Sequence, residues 1–289
     1  MSSAFDLARP NKVLFPNEGI TKRDIATYYK RIAARLLPHV SGRPVTLHRY
    51  PDGLGGASFY QKNVAGIVPG WANTVEIEKR GGTLQQLIID RVEALELLVD
   101  LGCITAHVWL SRIDHLRRPD RLIFDLDPSV EHTFALVKRG ARALSDALEA
   151  FGLVPFVMTT GSRGLHVTVP IRPQVPFDAV RLFARAVAEC VVARAPRAFT
   201  LEQRRAKRGD RVYIDIQRNA YAQTSVAPYA VRARPGAPVA MPLAWNELSR
   251  SDLTPRRYTI RNVFRRMARI EDPWRSIDRF ARALPPVPW

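Results

Sequence analysis

Cysteine is nearly absent from this chain. Cys103 and Cys190 are the only two in 289 residues, too few and too far apart for a disulfide framework or a zinc site, which points to a reducing, cytoplasmic setting. Long apolar runs are missing too. None approaches the ~20 residues that cross a bilayer, and the N-terminus MSSAFDLARP has no signal-peptide stretch. Neither a basic amphipathic helix nor a lipid-anchor motif stands out, so no membrane partner is expected. G-x-x-x-x-G-K-[ST] and G-x-G-x-x-G are both absent, which excludes the P-loop and the dinucleotide fingerprint. Acid is in short supply: 27 Asp+Glu against 44 Lys+Arg leaves a formal charge of +17. Such an excess predicts attraction to a polyanion, nucleic acid first. Apolar residues make up 46%, enough for a globular core and against disorder.

What is present alternates between helix and strand patterns. Thr21 reads as a helix N-cap with Asp24 in the first turn. Ile25, Tyr28, Ile32 and Leu36 follow at helical spacing, and Pro38 is expected to end the run. Thr83 to Leu101 reads as a second helix stopped by Gly102. Arg121 to Asp127 reads as a strand running into Pro128. A helix carrying Phe134, Val137, Ala141, Leu144 and Leu148 on one face comes next. Strands are expected at Val154 to Thr160, Leu165 to Ile171 and Arg211 to Gln217, with a helix at Phe177 to Arg194 between the last two. The class is therefore α/β or α+β. The whole chain, 1–289, reads as a single catalytic domain, ordered over about 8–280, with LPPVPW as a short extended tail.

The segment RLIFDLDPS carries the sharpest chemistry. Side chains alternate along a strand, so Phe124 and Leu126 point one way and Asp125 and Asp127 the other. Two carboxylates two residues apart on one face repel unless a cation or hydrogen bonds neutralise them. Hard divalent ions prefer such oxygen ligands. A bare D-x-D also describes two solvated acids at a strand end. In RVYIDIQRN, Val212, Ile214 and Ile216 take the core face, leaving Tyr213, Asp215 and Gln217 on the other. Asp215 is thus a third candidate ligand, and two metals on three aspartates would suit phosphoryl transfer. Between two strands, MTTGSRGLHV sets Thr160, Ser162 and Arg163 beside Gly161 and Gly164. Glycines let backbone N–H groups approach an anion, and hydroxyls with an Arg complete a triphosphate site. His166 opens the following strand within reach of a phosphate or ribose.

Taken together, the stretches NKVLFP, TKRDIATYY, GRPVTLHRYPDG, FYQKN, TAHVW, LIFDLDP, TTGSRGLHV and YIDIQRNA–SVAPYAVRAR, from about Ala8 to Trp245, resemble the archaeo-eukaryotic primase superfamily. The resemblance is to the polymerase domain of the bacterial end-joining ligase LigD. It implies a primase-like catalytic module whose mainly antiparallel sheets line a central cleft. It implies template-directed nucleotidyl transfer that extends DNA ends or fills gaps in double-strand break repair. Asp125, Asp127 and Asp215 would be the catalytic metal ligands, holding two Mn²⁺ or Mg²⁺ ions. His107, Thr160, Ser162, Arg163, His166 and Arg232 would bind the nucleoside triphosphate, with ribonucleotides preferred. Lys12 and Lys22 would grip the 5′-phosphate of gapped or broken DNA, Phe59 and Tyr60 would stack on the template, and Arg208 would lie in the loop that handles the primer terminus. Bacterial Ku and a ligase domain or protein are the implied partners, in a nucleoid-associated setting. Arg163 and Arg218 stand where relatives often carry Lys and an uncharged residue, and His48 where a basic residue is common. Two other readings are a stand-alone primase-polymerase and a non-catalytic module that only holds a DNA end.

Overall fold

The computed structural model describes residues 5–129 and 134–286. The expected tail therefore lies partly outside the described residues. Contacts divide the chain into two compact units.

The first unit takes residues up to 114, 224–240 and 258–266. Its elements in chain order are β1 (Val13–Phe15), β2 (Ile20–Thr21), α1 (Lys22–Val40), β3 (Pro44–Arg49), β4 (Phe59–Gln61), β5 (Thr74–Lys79), β6 (Gly82–Ile88), α2 (Val92–Asp100) and β7 (Cys103–Trp109). The second unit supplies β8 (Arg121–Pro128), α3 (Phe134–Glu149), β9 (Phe156–Thr159), β10 (Leu165–Pro170), α4 (Phe177–Arg194), β11 (Phe199–Thr200) and β12 (Val212–Asp215). After that β13 (Thr224–Val226) returns to the first unit and β14 (Pro242–Leu243) to the second. A short helix, α5 (Val263–Met267), follows.

In the first unit the main sheet has the order β13-β7-β3-β6-β5, with β4 also paired to β3, and β1-β2 is a separate ladder. Helix α1 begins as the sequence predicts. Thr21 and Asp24 form a reciprocal capping box, and Ile25, Tyr28, Ile32 and Leu36 are buried. Pro38 does not end it. The helix runs on to Val40, since a proline in the last turn forfeits only one hydrogen bond there. The helix expected over Thr83 to Leu101 is wrong in its first half, where Gly82–Ile88 is strand β6 and only Val92–Asp100 is helical. Its apolar spacing fitted both periods. Pairing with β5, through a hairpin turned at Arg80 and Gly81, the glycine at φ 81°, decided for the strand.

In the second unit the sheet order is β11-β12-β8-β10-β9-β14, and every pair is antiparallel except β11–β12. Mixed α/β architecture with mainly antiparallel sheets is as expected. Helices α3 and α4 pack on each other and on β8. Leu126 points into that layer, where a Cβ on Gly140 of α3 would touch it. Phe124 and Leu126 are fully buried, so Asp125 and Asp127 occupy the opposite face of the sheet. Strand β12 stops at Asp215 rather than Gln217, which instead begins a 3₁₀ turn, Gln217–Asn219. The two cysteines differ sharply: Cys103 is buried and burial pushes its thiol up to about 12, while Cys190 on α4 is exposed. Among the described residues no helix is long and apolar enough to cross a membrane.

Candidate active site

Three strands of the second unit line up one row of side chains. Asp125 on β8 is the register partner of Asp215 on β12 and, on its other side, of His166 on β10. His166 is buried, and its Nε2 lies 3.4 Å from Asp125 Oδ1. Asp127 stands two residues further along the same face and pairs in register with Tyr213. The three acids foreseen in the sequence are therefore brought to one sheet face.

Each acid has specific partners. Asp215 Oδ1 accepts the Gln217 N–H at 2.7 Å and the Tyr213 hydroxyl at 3.2 Å. Burial raises its pKa, the Gln217 N–H pulls it back, and the Asp125 charge raises it again, so it sits above the ordinary carboxylate range. The Tyr213 hydroxyl is pushed well above its usual value, by burial first and by Asp215 second. Asp127 accepts two bonds from Arg163 Nη2, at 3.0 and 3.1 Å, and lies 3.4 Å from Arg208 Nη1. Arg208 is itself fixed, with its guanidinium 4.0 Å from the Tyr213 ring centre and bonds to the Glu202 and Gln203 carbonyls. The sequence placed Arg208 in a basic loop, and nothing local signalled that it packs beside the acids.

Thr160 organises the glycine turn. Its hydroxyl donates to the Gly164 carbonyl at 3.1 Å and accepts the N–H groups of Ser162 and Gly164. Gly161 has φ 65°, a conformation that favours glycine. At Gly164 a Cβ would lie 1.8 Å from the Leu126 carbonyl oxygen, so the turn presses directly on β8 between the two acids. The Ser162 carbonyl accepts from Arg256 Nε at 2.9 Å. A cavity of about 430 Å³ opens here, lined by Phe134, Lys138, Ser162, Arg163, Leu253 and Arg256 among others.

Do these residues suit a divalent ion? Among the described residues, no group of three or more His, Cys, Asp and Glu side chains is posed to hold one as it stands. Asp127 is turned to Arg163 and Arg208. The donor chemistry nevertheless fits. Three carboxylates share a face, two are cross-strand neighbours, and Asp215 ionises against burial and a like charge, which a hard cation would relieve.

The remaining sequence-derived residues fall in the first unit. His107 lies on β7 and is the register partner of Thr46. Tyr60 and Phe59 are 59% and 47% exposed, so neither is core. Tyr60 stacks on His48, with ring centres 4.1 Å apart and planes 16° from parallel. Burial and the charges of Arg232 and Arg234 hold His48 below its ordinary pKa. Lys12 pairs with Asp52 at 3.0 Å. Lys22 is only 4% exposed, with its ammonium on Asp100 at 2.7 Å and on the Ala8 carbonyl.

The family model for the LigD primase-polymerase domain matches residues 21–274. The chain belongs to the LigD primase-polymerase family. It is 33% identical over 282 residues to the multifunctional non-homologous end joining DNA repair protein LigD of Mycobacterium tuberculosis (strain H37Rv), covering 94% of this chain and 37% of that protein. To the bifunctional non-homologous end joining protein LigD of Bacillus subtilis (strain 168) it is 29% identical over 258 residues, 89% of this chain and 41% of that one. The chain thus spans well under half the length of these LigD proteins. Its fold matches the solved polymerase domain of Mycobacterium tuberculosis ligase D in complex with DNA, with a TM-score of 0.89 and 32% identity, over 96% of this chain and 98% of that one. As a polymerase-type nucleotidyltransferase family, LigD primase-polymerase domains work with divalent metal ions.

Proposed function

We propose that this chain transfers a nucleotidyl group from a nucleoside triphosphate to a DNA 3′-hydroxyl under template direction, in the repair of broken ends by non-homologous end joining. The observation that carries the reading is the row Asp215–Asp125–His166 across three strands, with Asp127 beside it and the glycine turn pressed against the same strand.

Asp125, Asp127 and Asp215 are the residues that would hold Mn²⁺ or Mg²⁺. Such ions, when bound there, would supply a lowered pKa at the attacking hydroxyl and positive charge to offset the leaving pyrophosphate. The chain's own side chains position and neutralise. Thr160 pins the turn through its own hydroxyl, which engages the Ser162 and Gly164 N–H groups and so fixes Ser162 and Arg163 beside the acids. Arg163 exchanges Asp127 for the triphosphate, Ser162 adds a hydroxyl, and His166 orients Asp125 from the neighbouring strand. For His107 and Arg232 a nucleotide role is proposed on the family resemblance alone. So are the 5′-phosphate role of Lys12 and Lys22, the template role of Phe59 and Tyr60 and the primer role of Arg208. The same holds for a preference for ribonucleotides and Mn²⁺ and for partnership with Ku and a ligase. The formal charge of +17 supports DNA as the partner.

Primer extension with Mn²⁺ on gapped DNA tests the reading, comparing wild type with Asp125→Ala. Wild type extends the primer, and the variant loses at least ~10³-fold in rate while binding the DNA equally. If both bind and neither extends, the chain is an end-holding module and the polymerase reading fails.

A further inference from the structure

Guanidinium groups face the acid row from both ends. Arg218 Nε lies 3.9 Å from Asp125 Oδ2 and 4.0 Å from Asp215 Oδ2, shared between two carboxylates on neighbouring strands. Asp127 is held by Arg163 and Arg208. Three carboxylates thus meet three guanidinium groups, which stay charged at any ordinary pH. The row carries almost no net charge with which to draw a dication from water.

The backbone under Arg218 is fixed on both sides. Gln217 donates its N–H to Asp215, and Asn219 is fully buried with its amide bonded to Ile123 and Ile216. The Arg218 side chain is 41% exposed, so it can swing outward while its Cα stays beside the acids.

We propose that Arg218 is a positioning residue that makes cation uptake by the Asp125–Asp215 pair depend on the nucleotide. The inference rests on the polymerase reading of the same acids. Arg218 serves as their counter-charge until a divalent ion arrives with a triphosphate. A dication alone would add two positive charges beside a guanidinium that cannot shed its own. A triphosphate brings the negative charge that offsets both and gives Arg163 and Arg218 a new acceptor. Ion and nucleotide should therefore strengthen each other by one common factor.

Calorimetric titration of the whole chain tests this, with Mn²⁺ alone, ATP in EDTA, and ATP in saturating Mn²⁺, all without primer. Arg218→Gln should bind Mn²⁺ alone about tenfold tighter than wild type, within the usual range of coupling factors. In that variant Mn²⁺ should improve ATP affinity about tenfold less than it does in wild type. Arg218→Lys keeps the charge and should behave as wild type, which a merely structural role would not require. Thermal unfolding of each variant checks that the fold is kept. Arg218→Gln binding Mn²⁺ no tighter than wild type overturns the inference. Asp125→Asn separates the two levels. If it loses the Mn²⁺ bound by wild type while Arg218→Gln changes nothing, only the Arg218 inference falls. If it binds Mn²⁺ as wild type does, the acids are not ligands and the polymerase reading falls with it.

Discussion

The side chain of Asn219 pairs with both backbone groups of Ile123. The Ile123 N–H donates to Asn219 Oδ1 at 2.9 Å, and Asn219 Nδ2 donates to the Ile123 carbonyl at 2.7 Å. The amide thereby prolongs the β12–β8 ladder two residues past the Asp215–Asp125 pair, after β12 itself has ended. A third bond, to the Ile216 carbonyl, ties the 3₁₀ turn to the strand end.

Asn219→Ala should be costly, because it strands buried backbone groups of Ile123 and leaves a hole. A loss of about 2–4 kcal/mol is expected in urea unfolding. Asn219→Asp should not rescue it, since it removes the donor and buries a charge. An unchanged midpoint for the alanine variant would show that water replaces the amide.

Gly164→Ala should be worse still. Its Cβ would lie 1.8 Å from the Leu126 carbonyl oxygen, so β8 or the turn must move. We expect a loss of more than about 3 kcal/mol, or no soluble protein. Gly70→Ala, where nothing lies within 4 Å and φ is not positive, is the control and should change the melting temperature little. Equal melting temperatures would refute the close approach.

The acids were legible in the sequence, and Asn219 was not. The placement of Asp125 and Asp127 on one face follows from strand alternation alone, because Phe124 and Leu126 demand the core. Asp215 followed from the same logic. The role of Asn219 did not, because an amide that imitates a strand residue has no local signature. Likewise nothing in the order of residues announced that Arg163 and Arg208 converge on Asp127, a contact between segments far apart in the chain. The first half of the expected helix over Thr83 to Leu101 failed for the same reason, since β5 and not local spacing decided its state.

Asp215→Asn should stabilise the fold at neutral pH while abolishing nucleotidyl transfer. Burial and Asp125 raise the folded-state pKa of Asp215 above its unfolded value. The folded protein then binds more protons in that window, so stability falls as pH rises from the ordinary carboxylate range through the raised pKa. Above it the penalty is complete, and asparagine removes it. Melting curves should show a rise of a few degrees at pH 7 that vanishes toward pH 4. A lower melting temperature at pH 7 would mean that the bond from Gln217 outweighs the charge.

Lys12 and Lys22 should separate in a single pair of assays. Lys22 is buried against Asp100, so Lys22→Ala should lower stability by about 2 kcal/mol whatever it does to DNA binding. Lys12→Ala removes a partner of the exposed Asp52 and should leave the melting temperature almost unchanged. It should weaken binding to 5′-phosphorylated gapped DNA and spare the same DNA without that phosphate. Equal weakening on both substrates would reduce Lys12 to one point of a diffuse basic surface.

The contrast between the cysteines makes the natural chain a ready-made reporter. A maleimide fluorophore should attach at Cys190 alone, since the other thiol is shielded and scarcely ionised at neutral pH. Helix α4 packs with α3, which lies on the Leu126 face of the sheet, opposite the acids. A dye there would test for DNA or nucleotide binding without any substitution in the chain.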